Sequence, residues 1–122
     1  MTPRHPCEFV SLTLPRPIST NALFANAGKK GRVSSKEYTA WKLECGVELM
    51  RQRPGRVEGA YALTIRIPAK ARLDLGNSEK AISDLLQSHR VISNDKLAER
   101  ILLERWPEQY VQVLVVSTKE LA

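Results

Sequence analysis

Tyr61, Leu63, Ile65 and Ile67 alternate without a break against Ala62, Thr64 and Arg66, and Pro68 follows them. A period of two held over that length marks a strand with one face buried. Residues 60 to 67 therefore oblige the chain to build a β-sheet with a covered face. The cover is also legible. Tyr38, Trp41, Cys45 and Leu49 recur at spacings of three and four, the apolar stripe of a helix. Ser34-Ser35-Lys36-Glu37 ahead of it is a capping box, in which serine and glutamate satisfy orphan amides reciprocally. Pro54 and Gly55 are expected to end that helix.

The remaining elements follow from the same periods. Glu8 to Leu14 alternates, with Val10, Leu12 and Leu14 on one side, and is expected to be a strand. Asn77 or Ser78 is placed to cap a second helix running to about His89, with Ala81, Ile82, Leu85 and Leu86 as its buried face. Val91 and Ile92 lead into the polar turn Ser93-Asn94-Asp95. Residues 98 to 106 and 110 to 117 are expected to be two strands joined as a hairpin through Pro107. The chain has 122 residues, enough for one core without staples. With no repeat and no linker, the order implies a single α/β (α+β) domain, a mixed sheet packed with two main helices. Residues 15 to 33 form a long connection carrying Gly28, Gly31 and the basic cluster Lys29, Lys30 and Arg32. Such a loop is either functional or a solvated tip.

Charge narrows the function. Nineteen Lys and Arg against thirteen Asp and Glu give a net charge of +6, with a pI near 9.6. Nucleic acid and anionic membranes are the natural partners of such a surface. No basic amphipathic helix stands out, which favours nucleic acid. The start, Met-Thr-Pro-Arg-His-Pro-Cys, has no apolar segment of a secretory signal behind it, and Val113–Val116 is far too short to span a bilayer. Cys7 and Cys45 are too few for a disulfide framework or a zinc site. Cys45 lies in the apolar row of the first helix, so a buried free thiol and a reducing cytoplasm are expected.

All three aspartates, Asp74, Asp84 and Asp95, fall within one 22-residue stretch of this basic chain. A positive surface gathers a polyanion, and short carboxylates hold the divalent ion that cuts it. Mg²⁺, or Mn²⁺ in its place, needs one or two carboxylates, with water and substrate phosphate completing the octahedron. Such an ion polarises the scissile phosphate and generates hydroxide. Lys80, one turn into the second helix, is placed to stabilise charge building on the phosphate or leaving oxygen. The helix start at Asn77 to Glu79 adds amide dipoles. Blander roles compete. Lys80 and Asp84 have the i, i+4 spacing of a surface ion pair, and Asp95 has the setting of a turn cap beside Asn94. Asp74 and Asp95 flank a helix of about 18 Å, so they meet only if the chain folds back after His89. His5 and His89 have no partners at ligand spacing and are expected to be ordinary surface or boundary residues.

Several segments, taken together and in order, resemble the RusA family of Holliday junction resolvases. They are Thr13-Leu14-Pro15-Arg16-Pro17-Ile18-Ser19-Thr20-Asn21, Gly31-Arg32-Val33-Ser34, Asp74-Leu75-Gly76-Asn77-Ser78-Glu79-Lys80, Asp84-Leu85-Leu86 and Val91-Ile92-Ser93-Asn94-Asp95. The central family motif typically reads Asp-x-Asp-Asn-x-x-Lys, then Asp-x-Leu, then an acidic pair. The resemblance implies a small homodimeric, Mg²⁺-dependent endonuclease that cuts four-way DNA junctions by symmetric paired nicks, cytoplasmic and associated with the nucleoid on DNA. Asp74 and Asp95 match its metal-site acids, Lys80 its catalytic lysine and Asn77 its motif asparagine. Asn94 replaces the first acid of the pair. Gly76 stands where the family has a second aspartate, so one ligand is missing. Either Glu79, Asp84 or water substitutes, or the protein is a branched-DNA-binding module with impaired catalysis. A two-fold dimer suits a two-fold substrate. Lys29, Lys30, Arg32, Lys70 and Arg72 are the candidate phosphate contacts. Phe24 is a candidate wedge at the crossover, against a simple packing role.

Overall fold

In the computed structural model, which describes residues 6–17, 36–71 and 75–118, the strand with the clearest alternation occupies the middle of the sheet. β1 is Pro6–Cys7, β2 Phe9–Leu14, α1 Lys36–Gln52, β3 Arg56–Val57 and β4 Tyr61–Pro68. α2 is Leu75–Ser88, a 3₁₀ turn covers Asp95–Leu97, β5 is Ala98–Trp106 and β6 Val111–Ser117. The main sheet has four strands in the order β2-β6-β4-β5. β4 pairs in parallel with β5 and antiparallel with β6, and β6 pairs antiparallel with β2. The domain is thus a mixed sheet with two helices, the expected α+β class.

One face of the sheet carries the core. Val10, Leu12, Leu14, Tyr61, Leu63, Ile65, Ile67, Val111, Val113 and Val115 are all buried there, and Trp41, Cys45 and Leu49 of α1 and Ala81, Ile82, Leu85 and Leu86 of α2 close over them. Gln52 ties α1 to β2, donating to Thr13 O at 2.7 Å and accepting from Thr13 N at 2.9 Å. Trp41 Nε1 donates to Arg16 O at 3.0 Å. Burial pushes the Cys45 thiol up to about 12, with Glu44 adding to the effect, Arg16 opposing it and Glu48 adding a little more. Cys45 is a free, buried thiol. No helix among the described residues is long and apolar enough to cross a membrane.

Two expectations need correcting, and a third feature goes beyond them. The last two strands are not a hairpin: β4 lies between β5 and β6. β5 carries Glu99, Arg100, Glu104 and Arg105, charges that suit an edge. The fully buried Val111, Val113 and Val115 of β6 instead call for a central place. The turn that skips over β4 is held by Trp106 Nε1 donating to Tyr110 O at 2.8 Å and by an edge-on contact of the two rings. Secondly, α2 starts at Leu75, so Asn77 and Ser78 lie in its first turn and not at its cap, with Ser78 buried. Thirdly, β1 and β3 form a small parallel sheet of their own. Two-residue strands have no period to detect. The capping serines of α1 and most of the connection from 15 to 33, with Phe24, Lys29, Lys30 and Arg32, lie outside the described residues, as does His5.

Candidate functional site

The approach to α2 is fixed by the far end of β5. Ala69 N donates to Trp106 O at 2.8 Å, and Ala71 N to Pro68 O at 3.0 Å. Arg105 Nη1 donates to Ala71 O at 2.8 Å and to Pro68 O at 3.4 Å. Lys70 is exposed in this turn. Arg72 and Asp74, next in the chain, lie outside the described residues. Gly76 is exposed and Asn77 half-buried in the first turn of α2.

Along α2 the polar residues sort to different sides of the apolar face. Glu79, Ser83 and Gln87 recur every four positions and make one row. Ser83 Oγ donates to Glu79 Oε2 at 2.7 Å, although Ser83 itself is buried. Lys80 is exposed, and no ion pair among the described residues engages it. Asp84 faces α1, where its carboxylate stands 3.6 Å from Lys42 Nζ. The Lys80–Asp84 pair suggested by spacing therefore does not form, because Asp84 has a partner across the helix interface. His89 also serves that interface. A Cβ at Gly46 would lie 3.0 Å from His89 Nε2, so the lack of a side chain lets the imidazole rest on α1.

After α2 the chain does fold back. Arg90 takes φ 60, Arg90 N donates to Gln87 O at 3.1 Å and Val91 N to Leu86 O at 2.9 Å. This is the Schellman closure, with buried Val91 packing over buried Leu86. Val57 N then donates to Val91 O at 2.9 Å, and Ile92 bridges to Val57. Asn94 caps the 3₁₀ turn, its Oδ1 accepting from Lys96 N at 2.9 Å. The turn-capping role therefore belongs to Asn94. The neighbouring Asp95 keeps an exposed carboxylate with no hydrogen bond or ion pair among the described residues, while its backbone N–H donates to Gln87 Oε1 at 2.9 Å. The return is short. Asp95 is moored at Gln87, about 18 Å along the axis from the start of α2 at Leu75.

Beneath this edge lies Tyr61. It opens β4, pairs in register with Ala98 directly after the 3₁₀ turn, and is fully buried. Its hydroxyl has no hydrogen-bond partner among the described residues. Burial pushes the phenol up to about 12, and the negative charges of Asp95 and then Glu79 push in the same direction. One buried hydroxyl thus feels two carboxylates from separate elements. Sequence reasoning gave Tyr61 only a place in the alternation of its strand and did not single out Gln87. The signal available for the second was the polar row Glu79, Ser83, Gln87 bordering an apolar helix face. No group of three or more His, Cys, Asp or Glu side chains suited to a metal occurs among the described residues. Glu79 and Asp95 with the Tyr61 hydroxyl are nevertheless hard oxygen donors, the type that Mg²⁺ and Mn²⁺ take from proteins, usually with several waters retained.

No protein-family model matches the chain, and no curated protein is significantly similar to it.

Proposed function

We propose that the protein is a Mg²⁺-dependent (or Mn²⁺-dependent), structure-specific endodeoxyribonuclease that resolves four-way DNA junctions by paired nicks. The observation that carries this reading is the exposed carboxylate of Asp95, unpartnered among the described residues, on a turn whose backbone N–H bonds Gln87 of the helix that bears Lys80, in a chain of net charge +6. The ordered resemblance to the RusA family supports it. In this reading Asp74 and Asp95 hold the cation. When bound, the cation supplies Lewis-acid polarisation of the scissile phosphate and a hydroxide at neutral pH. Lys80 presents its ammonium to the phosphate and stabilises charge on the leaving oxygen. Asn77, in the first turn of α2, orients the phosphate beside the helix amides. Lys29, Lys30, Arg32, Lys70 and Arg72 collect the backbone, and shape selects the junction.

A homodimer completes the proposal. Leu43, Val47 and Met50 are 67%, 65% and 61% exposed on the side of α1 opposite its buried row, with exposed Ala40 in line. A helix apolar on both sides is built to be covered on both. Two copies of α1 crossing antiparallel near Val47 would set Glu44 of one opposite Arg51 of the other, twice, as an isologous contact requires.

The test is incubation of the purified protein with a synthetic four-way junction in Mg²⁺ or Mn²⁺, with EDTA, linear duplex and flap controls. Symmetric nicks in the junction alone, lost in EDTA, are the expected result. Gly76 lacks the side-chain oxygen of the family motif and motivates one other reading, a branched-DNA-binding module. Tight junction binding without nicks in either metal would establish that reading and remove the first.

A further inference from the structure

We infer that β5 is a self-association surface, at which the edge of the sheet pairs antiparallel with β5 of a second copy about a two-fold axis at Leu102. The inference goes beyond the nuclease reading and does not rest on it. It also uses a different part of the molecule from the contact at α1, because β5 is an outer strand of the sheet.

β5 spans nine residues, the longest strand of the sheet, and β4 is its sole strand neighbour among the described residues. An open edge of that length is a template for another strand. Ala69 N donates to Trp106 O at 2.8 Å, so the Trp106 carbonyl points toward β4. Backbone groups alternate in direction along a strand, so Ile101 and Leu103 turn their N–H and C=O groups outward. Pairing about Leu102 sets Ile101 opposite Leu103 of the second copy, and the two exchange both ladder hydrogen bonds on each side of the axis.

The charges choose the partner. In this register Glu99 falls opposite Arg105, and Arg100 opposite Glu104, on both sides of the axis. A slip of one residue would set Glu99 against Glu104 in one direction and Arg100 against Arg105 in the other. Opposite charges across a strand pair are favourable and like charges are not. The strand is therefore complementary to itself in one register, an order that charges serving only to repel other strands do not require. Arg100 is exposed, and no hydrogen bond or ion pair among the described residues engages it. Glu104 accepts from Arg66 Nε through Oε1 at 2.6 Å, and a carboxylate has a second oxygen to offer. Leu102 is 48% exposed and Ile101 41%. They lie on opposite faces of the sheet, Leu102 in register with Thr64 and Ile101 with buried Leu63. A second β5 covers both, with Leu102 against its own copy and Ile101 beside Leu103.

The experiment is sedimentation equilibrium of the full chain carrying Val47→Lys, which blocks the contact at α1, without DNA or metal. A mass of two copies is expected at concentrations up to about 100 μM. In that background Leu102→Lys, Arg100→Glu and Glu104→Arg are each expected to weaken association roughly tenfold or more. Mixing the Arg100→Glu chain with the Glu104→Arg chain should recover the two-copy mass, because every reversed charge then meets its opposite on the other chain. Circular dichroism reports folding, and Leu102 and Arg100 are exposed, so at least one variant reads the contact in a folded protein. A one-copy mass for the Val47→Lys chain throughout the range would overturn the inference. So would a two-copy mass that survives Leu102→Lys, or two folded chains of reversed charge that fail to associate when mixed. Junction cleavage enters none of these readouts, so each outcome leaves the nuclease reading where it stands.

Discussion

The backbone N–H of Asp95 donates to the side-chain oxygen of Gln87 at 2.9 Å. This bond ties the start of the 3₁₀ turn, which carries the exposed Asp95 carboxylate, to the end of α2. A single neutral hydrogen bond contributes about 0.5–1.5 kcal/mol net, so Gln87→Ala is expected to cost about that much stability. Its effect on junction cleavage should be larger, roughly tenfold in kcat, because supporting contacts around metal ligands typically matter by about 10–100-fold. Urea unfolding together with single-turnover cleavage checks this. Wild-type turnover in Gln87→Ala would mean that Asp95 needs no mooring.

Asp95→Asn keeps the size of the side chain and removes its charge. Cleavage of a four-way junction in Mg²⁺ should vanish while junction binding persists, since the proposed phosphate contacts are other residues. Lys80→Ala should lower kcat by roughly a hundredfold, in the range seen when one stabilising group at a developing charge is deleted, with little change in Mn²⁺ affinity. A gel comparing cleaved and bound fractions separates the two variants. An Asp95→Asn protein that cuts at the wild-type rate would exclude this residue from the site.

Gly76→Asp returns the side chain that the resemblance leads one to expect at that position. If Glu79 fills the role, the new carboxylate should raise the rate less than tenfold, and should rescue part of the loss in Glu79→Gln. Junction cleavage by the double variant is the measurement. A large gain in Gly76→Asp alone, with none in the double variant, would instead show that the first turn of α2 is where the ligand belongs.

How far these sites were legible depended on whether the signal was periodic. The inward rows of β2, β4, α1 and α2 were readable because burial imposes a period of two or 3.6 on residue type. The sheet order was not. Both β5 and β6 read as strands able to pair with each other, and only the charges of β5 and the fully buried valines of β6 betray which of them is central. The return after α2 was foreseeable as a need but not as a structure, because its αL residue is Arg90 and not the glycine that usually marks such a closure. Tyr61 and Gln87 carry no motif at all. They matter through contacts between elements, and no local pattern encodes those.

Arg90 itself offers a stability test. A non-glycine residue at φ 60 gives up about 1–2 kcal/mol against the right-handed region, and glycine recovers this less its own entropic cost of about 0.5–1 kcal/mol. Arg90→Gly should therefore stabilise the protein by roughly 0.5–1 kcal/mol, raising Tm by about 2–5 °C. Calorimetric melting decides it. A lower Tm would show that the arginine side chain contributes contacts outweighing its backbone strain.

Alkaline pH probes the two buried acids. Cys45 has an ordinary value of 9.0 and Tyr61 of 10.0, and each is pushed up to about 12 in the fold. Each group holds its proton more tightly folded than unfolded, so between these values the folded state binds more protons and stability falls as pH rises. The contribution is complete below about pH 9 and is lost progressively toward pH 12. Tyr61→Phe removes the phenol from this balance and also the buried hydroxyl without a partner, which costs about 1–3 kcal/mol when left unsatisfied. The metal-free variant should accordingly be more stable than wild type at pH 7, by roughly 1 kcal/mol, and its alkaline unfolding midpoint should move upward. Urea titrations at pH 7 and pH 10.5 measure both effects. Destabilisation at pH 7 would mean that the Tyr61 hydroxyl already has an acceptor within the protein.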